Sequence, residues 1–375
     1  MKKPVFEAIA TLVGVTIGAG IMGIPYVISK SGLIVGAAHI LVIGLLMLFL
    51  NLFVAEIVLR TKGNHQLMGY AAKYLGKTGK WIMALSMVIG VSGALLAYLI
   101  GGGSALSSIF GGDIFWFGIG FFAFCSFIVF KGLDFVKSIE LVSVSALLVL
   151  VFVIIAVNLL NVNPANFSIG DGDPFLPYGV VLFAFIGMSA IPEMREELAH
   201  NYKEMKKAVI IGTCIPIVVY LLFGLSTVLV SGIGTTEVAS IGLGKSLGSG
   251  MTLLTSLFAI FNMATSFIIL GLALKEMYRY DLNMGNMKSL VLALGLPLLI
   301  FVLGFRDFIT PLGIAGSFTG GIDGILIVLM LWRAREKSDR KPEFKVGFVY
   351  PLGALIIIMF LLGIIHEILS LLGMI

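Results

Sequence analysis

Two stretches of backbone, rather than a cluster of side chains, offer the chemistry in this chain. Gly20-Ile21-Met22-Gly23-Ile24-Pro25 and Gly187-Met188-Ser189-Ala190-Ile191-Pro192 lie 167 positions apart and are variants of one phrase. Each falls inside an apolar run where a continuous helix is expected. Gly weakens a helix through its backbone entropy, and Pro through its missing N–H donor. A helix interrupted in its middle frees N–H groups at the start of one half and carbonyls at the end of the other, and the helix dipole adds partial charge of the matching sign. A break over residues 18–20 aims freed N–H groups at an anion such as a carboxylate. A break over residues 187–189, at Ser189 and its neighbours, ends a half-helix in carbonyls suited to an ammonium group. One break for a carboxylate and one for an ammonium together describe an α-amino acid. The competing reading of the first stretch is close helix packing, with Gly14 and Gly18 as a small-xxx-small pair.

The elements that position these breaks are membrane spans. The 375 residues are 59% hydrophobic and 12% charged, which places the chain in the membrane class. Charge-free runs cover 8–29, 31–55, 81–112, 114–130, 141–170, 174–192, 208–236, 246–274, 289–305, 308–322 and 346–366, and the tenth continues past Asp323 to Trp332. At 17–25 apolar residues per crossing these predict eleven transmembrane helices. The first run is too long for a signal peptide and lacks a small-residue cleavage site. With the amino terminus placed in the cytoplasm, 22 of the 25 Lys and Arg fall on the inner side and only Lys30, Lys245 and Arg306 fall outside. That asymmetry is the positive-inside pattern, and it predicts a cytoplasmic amino terminus and an external carboxyl terminus in a cell membrane. The net charge of +5 therefore reports topology, and nucleic acid is not an expected partner; the lipid bilayer is.

A shift of 167 residues lays span 3 on span 8 and span 5 on span 10, and spans 2 and 4 on spans 7 and 9. The expected fold is all-α, two five-helix units plus an eleventh helix, divided at 1–162, 163–335 and 336–375. Because five is odd, the second unit crosses the membrane inverted, the 5+5 architecture used for alternating access, with spans 1 and 6 discontinuous. The segment 65–76 has apolar residues at helical spacing and is expected along the inner membrane surface. Its counterpart 235–248 would form an outer lid.

The residues that carry these features resemble a known group. Gly18-Ala19-Gly20-Ile21 with Pro25-Tyr26, Phe183-Ala184-Phe185 with Ile191-Pro192-Glu193, Ala264-Thr265-Ser266-Phe267 with Gly271-Leu272-Ala273-Leu274, and Gly69-Tyr70-Ala71-Ala72-Lys73-Tyr74-Leu75-Gly76 are similar to the amino acid/auxin permease and hydroxy/aromatic amino acid permease families. These belong to the amino acid–polyamine–organocation superfamily. The resemblance implies the LeuT-type fold and cation-coupled uptake of an amino acid. It places the substrate carboxylate at the backbone of Gly18, Ala19 and Gly20, and the amine at carbonyls near Thr16, Phe185 and Gly187. It also places a sodium site between the backbone of Gly14 and Ile17 and the hydroxyls of Thr265 and Ser266, with Asn262 as a further carbonyl. Hard oxygen ligands suit such a cation, although Ser and Thr in membrane helices also bond back to their own preceding turn. Some relatives replace sodium with a lysine of span 5, and no lysine lies between Ser138 and Asn161 here.

The proton is the alternative coupling ion. Asp323 is the foremost carrier, since an acid in mid-span is costly; a hydrogen-bonded acid positioning span 10 is its structural alternative. Glu193 follows the second break, and Glu56 lies in the inner part of span 2; both read as gate or packing groups. His39 and His366 lie near the outer side. Phe183, Phe185 and Tyr98 would line an apolar pocket for a neutral, large apolar or aromatic side chain. No cofactor is expected besides the coupling sodium ion or proton. An enzyme is not expected: the chain has no His-Glu-x-x-His motif, and Gly76-Lys77-Thr78 and Gly244-Lys245-Ser246 lack the earlier glycine of a phosphate loop. An exchanger, a sensor or a channel on the same fold stands as the alternative. Cys125 and Cys214 read as small core residues within spans.

Overall fold

The computed structural model describes residues 3–132, 140–168, 172–199 and 201–374. Fifteen α-helices occur among them. The first apolar run is split into α1 (Lys3–Thr16) and α2 (Gly20–Ser31), bent 54° at the break. There follow α3 (Leu33–Arg60), α4 (Leu67–Phe110), α5 (Ile114–Lys131) and α6 (Glu140–Leu160). The sixth run is split into α7 (Pro177–Ala184) and α8 (Ile191–Glu197). Beyond it lie α9 (Met205–Ser231), α10 (Ala239–Leu247), α11 (Ser249–Glu276) and α12 (Asn286–Val302). The last span of the repeat is α13 (Ile309–Ile314), a π-helical stretch Ala315–Gly320 and α14 (Gly321–Glu336); α15 (Val349–Leu371) closes the chain.

Each of the eleven apolar runs contains helix among the described residues. Among the described residues, eight helical stretches are long and apolar enough to cross a membrane, and α1 with α2 makes a ninth if counted as one. The helices Val144–Leu160 and Asn286–Val302 are apolar but shorter. The start expected for span 5, at Ser138, lies outside the described residues. Large apolar side chains stand exposed all round the bundle, Phe124, Phe127, Phe261 and Leu362 among them, as a surface bathed in hydrocarbon requires.

The two Gly-to-Pro phrases break their helices differently. Pro192 restarts α8 in its first turn, where a missing N–H costs nothing. Pro25 instead sits inside α2, and the first break lies before Gly20. Gly76 divides α4 with φ 72°, so the amphipathic turns from Leu67 form a separate helix before the span itself. The expected lid contains α10, which buries Ala239, Ser240, Gly242, Leu243 and Gly244. It is tied to the start of α13, where the Phe308 N–H donates to Glu237 Oε2 at 3.0 Å.

At the end of the bundle that carries the basic loops, Glu56 is fully buried. Its carboxylate accepts from Arg60 Nε and Nη2 (2.9 and 2.7 Å), Arg335 Nε and Nη2 (2.9 and 2.8 Å) and the Val346 N–H (2.7 Å). One acid thus joins α3 to α14 and to the loop before α15. Nearby, Arg195 of α8 donates to the carbonyls of Thr61 and Gly63. Asp339 accepts from Lys73 and from the Lys62 N–H, and the hydrogen bond from Lys73 holds its carboxyl below the usual carboxylate range. One expectation is corrected: Cys125 is buried, but Cys214 is exposed on the outward side of α9, because thiol size does not decide which face of an apolar helix it occupies.

A candidate binding site at two broken helices

The breaks touch each other reciprocally. A Cβ on Gly20 would lie 2.7 Å from Ala184 Cα, while a Cβ on Gly187 would lie 2.2 Å from Thr16 Oγ1. Backbone approach this close is possible only for glycine. Gly20 and Gly187 are equivalent under the 167-residue shift, so each break supplies the glycine that admits the other. The amino-terminal half of the first broken helix and the carboxyl-terminal half of the second are tied as well, by Thr11 Oγ1 donating to Glu197 Oε1 at 2.7 Å.

The hydrogen-bond inventory shows what the breaks offer. In the first, the Ile17 N–H reaches Val13 O, the Gly18 N–H folds back to Thr16 O, and the Met22 N–H reaches Ala19 O. The N–H groups of Ala19 and Gly20 find no protein acceptor among the described residues, nor do the carbonyls of Gly14 and Ile17 receive a donor. In the second break, Phe185 N–H donates to Val181 and Leu182, Ile186 N–H to Phe183, and Ala190 N–H to Gly187. The carbonyls of Phe185 and Ile186 receive none among the described residues. The first break therefore presents free donors at 19–20 beside the free carbonyls of Gly14 and Ile17, and the second presents free acceptors at 185–186 beside N–H groups of Gly187, Met188 and Ser189 that have no acceptor among the described residues.

Two residues that the sequence reading did not assign this work close the remaining valences. The Tyr220 hydroxyl of α9 lies 2.7 Å from Thr16 O and 2.8 Å from Ala184 O, one on each broken helix. Asn262 of α11 donates through Nδ2 to Gly18 O at 2.9 Å, so its side chain acts as a donor to the break. A tyrosine inside the apolar run 208–236 is the signal that could have pointed to Tyr220, since a buried phenol needs a partner.

The other expected residues fall as follows. Ser189 is exposed beside the break, in a single 3-10 turn, while Phe185 and Gly187 are buried. Thr265 donates to Phe261 O and Asn262 O, both at 3.0 Å, within its own helix. Ser266 faces the first break: a Cβ on Gly18 would lie 3.1 Å from its Oγ and 3.6 Å from the Tyr98 hydroxyl. Tyr98 and Phe183 stand with ring centroids 6.5 Å apart. Asp323 is 7% exposed and has no partner for Oδ1 among the described residues, while Ser86 Oγ of α4 donates to Thr319 O at 3.4 Å. Glu193 is exposed in the first turn of α8. His39 and His366 line a separate, mostly apolar pocket of about 270 Å³ between α3, the start of α7 and α15.

A sequence profile of the tryptophan/tyrosine permease family matches residues 1–370. The chain belongs to that family. Of the two families the residues resemble, this match supports the aromatic amino acid permeases. Among relatives of this permease, tyrosine-specific transport system 1 of Haemophilus influenzae is 28% identical over 363 residues, 88% of either chain. The tryptophan-specific transport protein of Shigella flexneri is 24% identical over 92% of this chain and 90% of its own. Glutamine transporter 2 of Aliivibrio fischeri is 23% identical over 91% and 92%. In fold the permease is similar to Mhp1, a nucleobase-cation-symport-1 family transporter in a closed conformation with bromovinylhydantoin bound. That likeness has TM-score 0.63 and 13% identity, covering 98% of this chain and 91% of the other. The fold is thus the all-α, LeuT-type transporter fold, and the protein is a transporter rather than an enzyme.

Proposed function

We propose that this permease is a secondary active transporter that takes up a neutral, preferentially aromatic, amino acid by alternating access. The observation that carries the reading is that free backbone groups of both kinds meet at the facing breaks, with N–H at Ala19 and Gly20 and C=O at Phe185 and Ile186. Charged ends of a zwitterion bind to such groups through charge-assisted hydrogen bonds, each roughly twice as strong as a neutral one. Relatives named for tyrosine and tryptophan, and the aromatic rings of Tyr98 and Phe183, favour an aromatic side chain. The glutamine transporter among the relatives keeps other neutral side chains in the test panel.

The coupling ion is sodium or a proton. The unpaired carbonyls of Gly14 and Ile17 and the hydroxyl of Ser266 beside Gly18 favour a cation there. Thr265 would have to leave its own helix carbonyls to join them. The buried, unpartnered oxygen of Asp323 favours the proton. Helix α6 contains no lysine to stand in for sodium. The protein lies in the cell membrane with its amino terminus inside, on the strength of the 22 basic residues at that end, and comprises repeats 1–162 and 163–335 followed by 336–375. The test is uptake into liposomes of tyrosine, tryptophan, phenylalanine and glutamine under a sodium gradient and a proton gradient imposed separately. Accumulation under one gradient supports the symporter. Exchange without gradient-driven accumulation supports the exchanger, and the absence of both accumulation and exchange overturns the reading.

A further inference from the structure

We propose that Tyr220 is the positioning residue that sets the spacing between the two halves of the site, with Asn262 orienting the donor half. The inference rests on the amino acid reading above. Helix α9 runs along both pieces of the first broken helix. A Cβ on Gly212 would lie 2.8 Å from Leu12 Cδ2 in α1, and one on Gly224 would lie 2.8 Å from Ile28 Cδ1 in α2. Tyr220 stands between those two contacts, level with the break. It is fully buried, and its ring meets Phe185 edge-on with centroids 4.9 Å apart. Its one hydroxyl proton serves two carbonyls, Thr16 O on the donor break and Ala184 O on the acceptor break. No other side chain bridges the two breaks among the described hydrogen bonds, so this phenol is the tie that keeps free N–H groups and free carbonyls at one separation.

Asn262 works from the opposite side. It is 1% exposed, its Nδ2 holds Gly18 O, and its Oδ1 has no partner among the described residues. A buried acceptor left unpaired is unfavourable, and a leucine of similar volume would fill the space without one. The amide is explained by what its donor does. The Gly18 carbonyl, which the Ile21 N–H also reaches at 3.3 Å, shares one planar peptide unit with the Ala19 N–H, so pinning it directs that donor.

These roles predict different signatures. A site held at one spacing favours a ligand that bridges both halves, because the ordering cost is already met. Loss of the tie penalises only such a ligand, whereas general damage penalises every ligand alike. Three probes separate the cases: tyrosine, tyramine with only the ammonium end, and 3-(4-hydroxyphenyl)propionate with only the carboxylate end. Their binding is measured on the purified full chain, with elution profile and thermal unfolding recorded for each variant. Tyr220→Phe is expected to weaken tyrosine about tenfold more than either single-ended probe, the worth of roughly one hydrogen bond. Asn262→Leu is expected to weaken tyrosine and the propionate by about tenfold and to spare tyramine. If all three probes weaken equally in both variants, or none changes, the positioning roles are overturned while the amino acid site stands. If the unaltered protein binds no amino acid, the reading and this inference fall together. Should Tyr220→Phe not elute as a folded protein, the Asn262→Leu comparison decides the matter through its selective loss at the carboxylate end.

Discussion

Replacing Glu56 by Gln should be among the most damaging single changes at the basic end of the bundle. The carboxylate receives five hydrogen bonds, four from the guanidinium groups of Arg60 and Arg335 and one from the Val346 N–H. Side-chain exposure is 0% for Glu56, 7% for Arg60 and 21% for Arg335, so water cannot take over. Removing one partner of a buried ion pair typically costs about 3–5 kcal/mol, because a charge remains without its counter-ion. Here two guanidinium groups lose theirs, and the Gln amide presents N–H to N–H on one side. The expected loss is about 4 kcal/mol, near the upper part of that range only if neither arginine escapes to solvent. Arg335→Met should cost less, about 1–3 kcal/mol, because Arg60 still balances the acid. Unfolding in mixed detergent micelles, followed by tryptophan fluorescence, measures both. The triple change of Glu56, Arg60 and Arg335 to Met should recover much of the loss, as apolar replacement of a buried ion triad often does. A loss below about 1 kcal/mol for Glu56→Gln would refute the reasoning, since that is the range of a solvated surface pair.

Three further outcomes follow from the geometry. Gly20→Ala puts a Cβ 2.7 Å from Ala184 Cα, a backbone atom that cannot give way, so tyrosine binding should fall at least tenfold. The control Gly23→Ala, 3.1–3.3 Å from flexible side-chain tips, should change it little, and equal effects in a binding assay would contradict the close approach. Thr265→Ala with Ser266→Ala should abolish sodium stimulation of binding if these hydroxyls hold the cation; unchanged sodium dependence clears them. Asp323→Asn should flatten the rise of uptake with falling external pH if that carboxyl carries the coupling proton, and an unaltered profile assigns Asp323 to packing against Ser86.

Much of this architecture is readable from local signals. Gly and Pro inside an apolar run disclose the breaks because lipid leaves no other reason for so unfavourable a backbone. The 167-residue shift discloses their equivalence. What local signals cannot disclose is which carbonyls the rest of the fold covers. The reading set Thr16 and Gly187 among the amine contacts, yet Thr16 O meets Tyr220 and the Gly18 N–H, and Gly187 O meets Ala190 N–H. The first of these partners depends on α9 lying against both halves of a broken helix 204 residues away in sequence. Glu56 is similar: Arg60 at i+4 is visible, but Arg335 is 279 positions distant, and nothing in either neighbourhood announces the pairing. Conversely, Gly20 and Gly187 are legible as flexible residues, but their service to each other's break emerges only once the two repeats face one another.

In the proposed site the paired breaks hold the two charged ends of one amino acid. The most direct test is equilibrium binding of tyrosine against N-acetyltyrosine and tyrosine methyl ester, each of which neutralises one end. With charged hydrogen bonds worth about 1.5–3 kcal/mol apiece and two lost at each end, both derivatives should bind at least a hundredfold more weakly. Retention of full affinity by either derivative would contradict the assignment of that end to its break.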